Sequence, residues 1–484
     1  VAFQPIGWTG SREVTFNSLQ YAAFLPIVFV IYWRLKRRPQ NVLLLAASYF
    51  FYGLFDWRFL GLLIISTLTD YTVGRVLENA EGDTKRKLIF VCSLIVNLGI
   101  LGFFKYFDFF TRDGTKLLHH LGLDVSPPLI HILLPIGISF YTFHGISYSF
   151  DVFRRRINPT HDLLAFAVFV SFFPQLVAGP IGRAHLQLPQ FEHDRIFPDR
   201  QRIQQALLLI LQGLFKKVVI ADALAQFVQT AFSSPTTTSA ATLAMGVWAF
   251  AFQIYGDFSG YTDIARGSAW LLGMNLPENF NQPYLSRNIT EFWRRWHISL
   301  SSWLRDYLYV PLGGNQGSPI ATYRNLFLTM LIGGLWHGAA LTFVIWGGYH
   351  GVWLALERKF LPTQHNDYQR KWQWPGDAIR AFITFQIVCV GWVFFRATSL
   401  SDALHYLKGI ADLRRGYVDP HFAALLVMAA LAVGLIDLVQ RLTHDQAAIA
   451  RWHPPVRGIA YATMVLSIIV FSGETPVPFI YFRF

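Results

Sequence analysis

Charge is scarce in this chain. Only 14% of its 484 residues are Asp, Glu, Lys or Arg, where soluble domains carry about 25%. With 53% hydrophobic residues and 44 Phe, that shortage excludes an ordinary soluble globule. Cysteine is nearly absent too. Cys92 and Cys389 are the two present, both in apolar segments, which excludes a disulfide-stapled secreted framework and a thiolate metal cluster. They read as buried membrane thiols. The opening "VAFQPIGWTGSREVTF" lacks the basic-then-apolar order of a cleavable signal peptide. It begins with Val rather than Met, so a processed, trimmed or tagged start is expected. No Gly-Lys-Ser/Thr phosphate loop, Rossmann fingerprint or Gly-x-Ser-x-Gly elbow occurs, and ATP-driven transport loses its main support. Internal repeats and low-complexity tracts are missing as well.

What is present is recurrent apolar sequence, from Leu19–Tyr32 through to Ile459–Phe471. A spanning helix needs about 20 mostly apolar residues. On that measure the chain is expected to be all-α and polytopic, with roughly ten to thirteen embedded segments, some of them re-entrant. "SFFPQLVAGPIGR" places Pro174, Gly179 and Pro180 at membrane depth. Non-helical backbone survives there only when buried in protein or lining a cavity.

The net charge of +12 sits in short basic connections: "WRLKRRPQ", "GDTKRK" and "DVFRRRINP". That placement retains loops on the cytoplasmic side and meets anionic lipid; it does not point to nucleic acid. With those loops cytoplasmic, the N-terminus and a loop from Lys105 to Pro127 face the exterior.

Two regions carry candidate chemistry. "FWRRWHISLSSWLRDYLYVPLGG", Phe292 to Gly314, alternates aromatic and basic residues as an interfacial segment does. Arg294, Arg295 and Arg305 offer planar donors for phosphate or carboxylate groups, with His297 among them. Lipid contact and ligand binding weigh equally on this pattern. The second region, Asn325 to Leu356, has no charged residue yet contains His337 and His350. Gly333, Gly334 and Gly338 flank His337 and permit close approach of a backbone or ligand, and Trp336 precedes it. An ionisable residue inside a span is a functional candidate, the alternative being a buried His bonded to a nearby carbonyl. A neutral imidazole keeps one nitrogen free to accept a proton, as a general base must.

A shared metal is not expected for His337 and His350. Thirteen residues of continuous helix would separate them by roughly 20 Å and about 220° of rotation. Asp257 and Asp263, in "YGDFSGYTDIARG", are six apart, which does not stack them on a helix; capping and loop hydrogen bonding are the expected roles. His144 and Asp151 are expected in core packing with polar contacts.

Taken in order, "SLQYAAFLPIVFVIYW", "LPIGISFYTFHGISYSFDVFRR", "SFFPQLVAGPIGR", "YGDFSGYTDIA", "NLPENFNQPYLSRNITEFWRRWHISLSSWLRDYLYVPLGGN", "GGLWHGAALTFVIWGGYHG" and "PFIYFRF" resemble the membrane-bound O-acyltransferase family. The resemblance is strongest to its bacterial branch that O-acetylates alginate. It covers Phe16 to Phe484 as a single membrane domain and leaves residues 1–15 as an unassigned extension. It implies a tunnel through the bilayer and a cytosolic thioester donor, acetyl-CoA, with no metal. It also implies an extracytoplasmic polysaccharide acceptor and a periplasmic or membrane-anchored partner of the SGNH hydrolase type, in a bacterial inner membrane. His337 matches the family's catalytic histidine, and His297 its second polar position. Arg294, Arg295 and Trp336 are then candidates for holding the donor. Within the same fold, peptidoglycan O-acetylation or D-alanyl transfer from a carrier protein are alternatives. A non-enzymatic transporter or flippase is the rival from another class.

Overall fold

The computed structural model describes residues 15–120, 122–123, 133–361, 372–473 and 477–480. All but the last residue of the extension expected at residues 1–15, the start of the span expected over Leu129–Phe150, and the last four residues of the closing "PFIYFRF" lie outside them. Among the described residues the protein is helical throughout, without a strand, and packs as two compact units.

The first unit comprises residues 1–104, 133–200 and 268–275. Its helices are α1 (Leu19–Tyr32), α2 (Arg37–Asp56), α3 (Leu60–Glu78), the beginning of α4 (Asp83–His120), α5 (Ile138–Phe153), α6 (Leu163–Ser171), α7 (Phe173–Leu176) and α8 (Ala184–Glu192). A buried carboxylate ties three of them together. Asp70 on α3 accepts from Ser93 Oγ at 2.8 Å and Asn97 Nδ2 at 2.9 Å on α4, and from Ser149 Oγ at 2.9 Å on α5. The segment expected to be broken at Pro174–Pro180 is indeed interrupted after α7, and it is fully buried. His144 Nε2 accepts the backbone N–H of Gly182 at 2.9 Å, so a core histidine satisfies backbone that no helix serves. Asp151 pairs with His185 and Arg156.

The second unit comprises residues 105–132, 201–267 and 276–484. It contains the end of α4, α9 (Arg200–Phe215), α10 (Ala223–Ser233), α11 (Ala240–Leu271), α12 (Ile289–Arg295), α13 (Ile298–Leu304), α14 (Pro319–His337), α15 (Leu341–Phe360), α16 (Gly376–Arg396), α17 (Leu400–Ala411), α18 (Pro420–Thr443) and α19 (Pro454–Phe471). Between α9 and α10 a π-helical turn, Lys216–Asp222, turns two lysines toward α11. Lys216 reaches Asp263 at 2.8 Å; Lys217 reaches Asp257 at 2.9 Å and Asp222 at 2.8 Å. Asp257 and Asp263 are therefore interior to α11 and ion-paired, not in the loop that their spacing suggested.

Among the described residues, five stretches are long and apolar enough to cross a membrane: Arg37–Glu78, Asp83–Phe107, Gly376–Arg396, Pro420–Thr443 and Pro454–Phe471. Fewer qualify than the sequence alone suggests, because several apolar runs are cut into short helices. Cys389 is buried, but Cys92 is exposed on α4, which corrects its expected burial.

The apolar run Asn325–Leu356 is two helices rather than one. It breaks between His337 and Leu341, and α14 folds back on α15. The two backbones meet at glycines: a Cβ on Gly334 would lie 2.3 Å from Phe343 O, and one on Gly347 2.3 Å from Met330 O. No larger residue fits that crossing. Gly347→Val is expected to destabilise the purified protein by about 1–3 kcal/mol through overpacking, read as a lower unfolding temperature in detergent. Gly61→Ala, where a Cβ meets nothing within 4 Å, should leave that temperature unchanged or slightly higher.

Candidate active site

His337 is the last residue of α14, and Gly338 continues in extended conformation. The turn is tight because a Cβ on Gly338 would stand 2.1 Å from the Phe343 ring. The carbonyls left open at a helix end need donors, and α4 supplies two. Tyr106 Oη donates to Leu335 O at 2.6 Å, and the Lys105 ammonium donates to Trp336 O. Lys105 also lies over the Trp336 ring, 5.5 Å from its centroid. The stretch after Lys105, expected as an exterior loop, is helical to His120, and its first residue fixes the end of α14.

Rings enclose the His337 imidazole. Trp336 lies 4.8 Å away by ring centroid, Trp346 5.1 Å and Phe395 5.3 Å, leaving His337 only 5% exposed. The His297 ring is 6.5 Å from that of His337. Two imidazoles in direct N–H···N contact have centroids roughly 5 Å apart. The two rings are therefore not in direct hydrogen-bond contact.

His297 arrives from the turn between α12 and α13, both too short to cross a bilayer. Its φ of 44° and ψ of 54° are left-handed, a conformation that costs a non-glycine residue about 1–2 kcal/mol. The turn persists because its surroundings grip it. Ile298 N donates to Asn279 O at 2.9 Å and Asn281 N to Arg295 O at 3.0 Å. Burial pushes the His297 imidazole down to about 3, so it is neutral at physiological pH. At the other end of α12, the α15 residue Glu357 accepts from Ile289 N at 2.5 Å and from Thr290 N at 2.9 Å. A carboxylate at a helix N-terminus suits both the open N–H groups and the helix dipole.

The other sequence candidates separate. Trp336 is at the site. Arg294 is exposed at the end of α12. Arg295 is held by Glu291 at 3.0 Å and donates to Asn281 O at 3.0 Å. Arg305 pairs with its neighbour Asp306. His350 packs against Trp346 and Trp293, with centroids 5.2 and 5.1 Å away. The break after His337 removes the continuous helix on which the spacing of the two histidines was reckoned, and Trp346 touches both rings. No group of three His, Cys, Asp or Glu is placed to hold a metal among the described residues.

A neutral histidine at a helix end, walled by aromatic rings and facing a second neutral histidine, suits proton transfer in a water-poor enclosure. The sequence model of MBOAT, the membrane-bound O-acyltransferase family, matches residues 44–399. The chain belongs to that family. It is 42% identical over 428 residues to a protein of Pseudomonas aeruginosa named probable alginate O-acetylase AlgI, covering 86% of this chain and 80% of that one. It is 38% identical over 422 residues to the peptidoglycan O-acetyltransferase of Helicobacter pylori, covering 81% and 78%. The teichoic acid D-alanyltransferase of Bacillus subtilis is 29% identical over 285 residues, covering 54% and 68%. The protein is thus a multi-pass membrane O-acyltransferase, acting on an acyl donor and an acceptor, and similar to proteins named probable alginate O-acetylases.

Sequence reasoning missed Lys105, Trp346, Phe395 and Asn279. Lys105 alone left a signal, as the single cation ending the apolar run "LIFVCSLIVNLGILGFFKYF". Replacing it by Met removes the charged donor to Trp336 O. The loss should cost about 1–3 kcal/mol and slow acyl transfer, with Lys105→Arg recovering part of both. Unfolding temperature and transfer rate measured side by side check this; wild-type values for Lys105→Met would contradict it.

Proposed function

We propose that the protein moves acetyl groups from cytosolic acetyl-CoA across a bacterial inner membrane for O-acetylation of an extracytoplasmic, alginate-like polysaccharide. His337 is the general base in this reading. The observation that supports it is the seat of His337: a helix end closed by aromatic rings, with the His297 ring 6.5 Å from its own. The relatives named as alginate O-acetylases favour acetyl transfer to that acceptor class.

A thioester is already activated, so no covalent acyl-enzyme is required. The acceptor hydroxyl gives its proton to His337 as its oxygen bonds to the carbonyl carbon. The carbon–sulfur bond then breaks, and the thiolate takes the proton back from the His337 imidazolium. Positioning of donor and acceptor supplies much of the acceleration, and excluding water limits hydrolysis of the thioester. Trp336 forms part of the wall against which the pantetheine arm lies, whereas Gly334 and Gly338 are taken up by packing against α15. Arg294, exposed at the end of α12, and Arg295, paired there with Glu291, mark the basic end that meets the donor's phosphates. A tunnel joining the two faces delivers both substrates, and a partner of the SGNH hydrolase type completes transfer to sugar hydroxyls.

The test follows label from [acetyl-14C]acetyl-CoA into a partner or glycan with membranes containing the protein. Transfer should occur with the wild type and fall at least about 100-fold with His337→Ala, the scale of a lost general base. Full transfer by that variant, folded and present in normal amount, would remove His337 from the mechanism.

A further inference from the structure

His297 has a partner whose chemistry fixes where its proton lies. Asn279 Oδ1 is 3.2 Å from His297 Nδ1 and also accepts from Ser299 N at 3.1 Å and Ser299 Oγ at 2.7 Å. A backbone N–H can only donate, so the Asn279 atom facing this turn is its oxygen. The amide nitrogen Nδ2, on the other side, has no hydrogen-bond partner among the described residues. Asn279 also lines a polar cavity of about 10 Å³ with Ser259, Thr262 and Asp263, room for about one water molecule. Facing an oxygen, His297 Nδ1 must carry the proton. In a neutral imidazole the other nitrogen is then a bare acceptor. Nε2 is buried and has no hydrogen-bond partner among the described residues.

A buried acceptor without a donor is costly, and a histidine held in left-handed conformation adds to that cost. The arrangement makes sense when something seated beside the ring donates to Nε2. The 6.5 Å between the His297 and His337 centroids is too long for direct contact and fits one bridging oxygen. We infer that Asn279 is a positioning residue that locks His297 as its Nδ1–H tautomer, so that Nε2 accepts from a water bridging to the ring N–H of His337. The inference rests on the reading of His337 as base and deepens it. The bridge keeps the His337 proton on the nitrogen toward His297 and leaves the lone pair on the other nitrogen, for the acceptor hydroxyl. When His337 becomes an imidazolium, the same bridge stabilises the charge. Asn279 touches no substrate; it acts through His297, as an orienting group behind a histidine does in other acyl-transfer sites.

Two measurements on the full-length protein test this. In the wild type, side-chain 15N NMR of labelled histidine, assigned with His297→Gln, should show Nδ1 protonated and Nε2 bare. A proton on Nε2 would overturn the inference. In acetyl transfer, Asn279→Leu, which cannot accept, should lower kcat ~10-fold or more with the KM for acetyl-CoA within about twofold. Asn279→Asp keeps the acceptor and should restore most of kcat with a displaced pH–rate profile. Wild-type kcat in Asn279→Leu, equal losses in both variants, or a loss carried by KM would each overturn the positioning role. The NMR result does not depend on the folding of any Asn279 variant. It is also independent of the base assignment: an active His337→Ala would remove the base while leaving the tautomer measured at His297 intact.

Discussion

The site depends on where one apolar helix is made to stop. Hydrophobicity alone would carry α14 into α15 without interruption, since the run from Asn325 to Leu356 contains no charged residue. It ends at His337, where Gly338 turns to extended backbone and the Phe343 ring fills the space that a larger residue there would need. The open carbonyls of its last turn find donors in Lys105 and Tyr106. Open carbonyls in an apolar interior are costly, so these two side chains are what make the stop affordable. A histidine placed at that stop points off the end of a helix into an enclosure of rings, not into the side of a packed bundle.

The helix α15 ties the two histidines to one scaffold. Its Gly347 meets Gly334 on α14, which leads to His337, while its Glu357 accepts the first N–H groups of α12, which leads to His297. Trp346, next to Gly347 on α15, packs against His337 itself. The gap between the rings is therefore set by interactions along a single helix, within one compact unit of the chain. Rigid elements hold reacting groups more accurately than loops do.

Much of this was legible in the residues, and the failures share a cause. The apolar run Leu19–Tyr32 coincides with α1, without the flanking extension a full span asks for, and scarce charge gave the membrane class. An ionisable residue in an uncharged run singled out His337, and alternating aromatic and basic residues singled out the turn with His297. What stayed hidden were contacts between residues far apart in the chain. Lys105 reads as the start of an exterior loop until its partner at Trp336 is known. Asp257 and Asp263 read as loop residues until Lys216 and Lys217 explain how carboxylates sit inside a helix. Asn279 reads as one polar residue among several in "PENFNQPY"; only the fold brings it to His297. The break after His337 escaped notice because glycine in an apolar run signals close approach as readily as termination.

The central proposal is that donor and acceptor meet at the bare ring nitrogen of His337 at the end of α14, with His297 behind the other nitrogen. A cryo-electron microscopy structure with a non-transferable acetyl-CoA analogue, its thioester sulfur replaced by a methylene, tests it most directly. The analogue's carbonyl carbon is expected about 3–5 Å from the ring nitrogen of His337 that faces away from His297, as a near-attack arrangement requires. An acetyl group bound away from both histidines, with the ring enclosure still closed around His337, would contradict it.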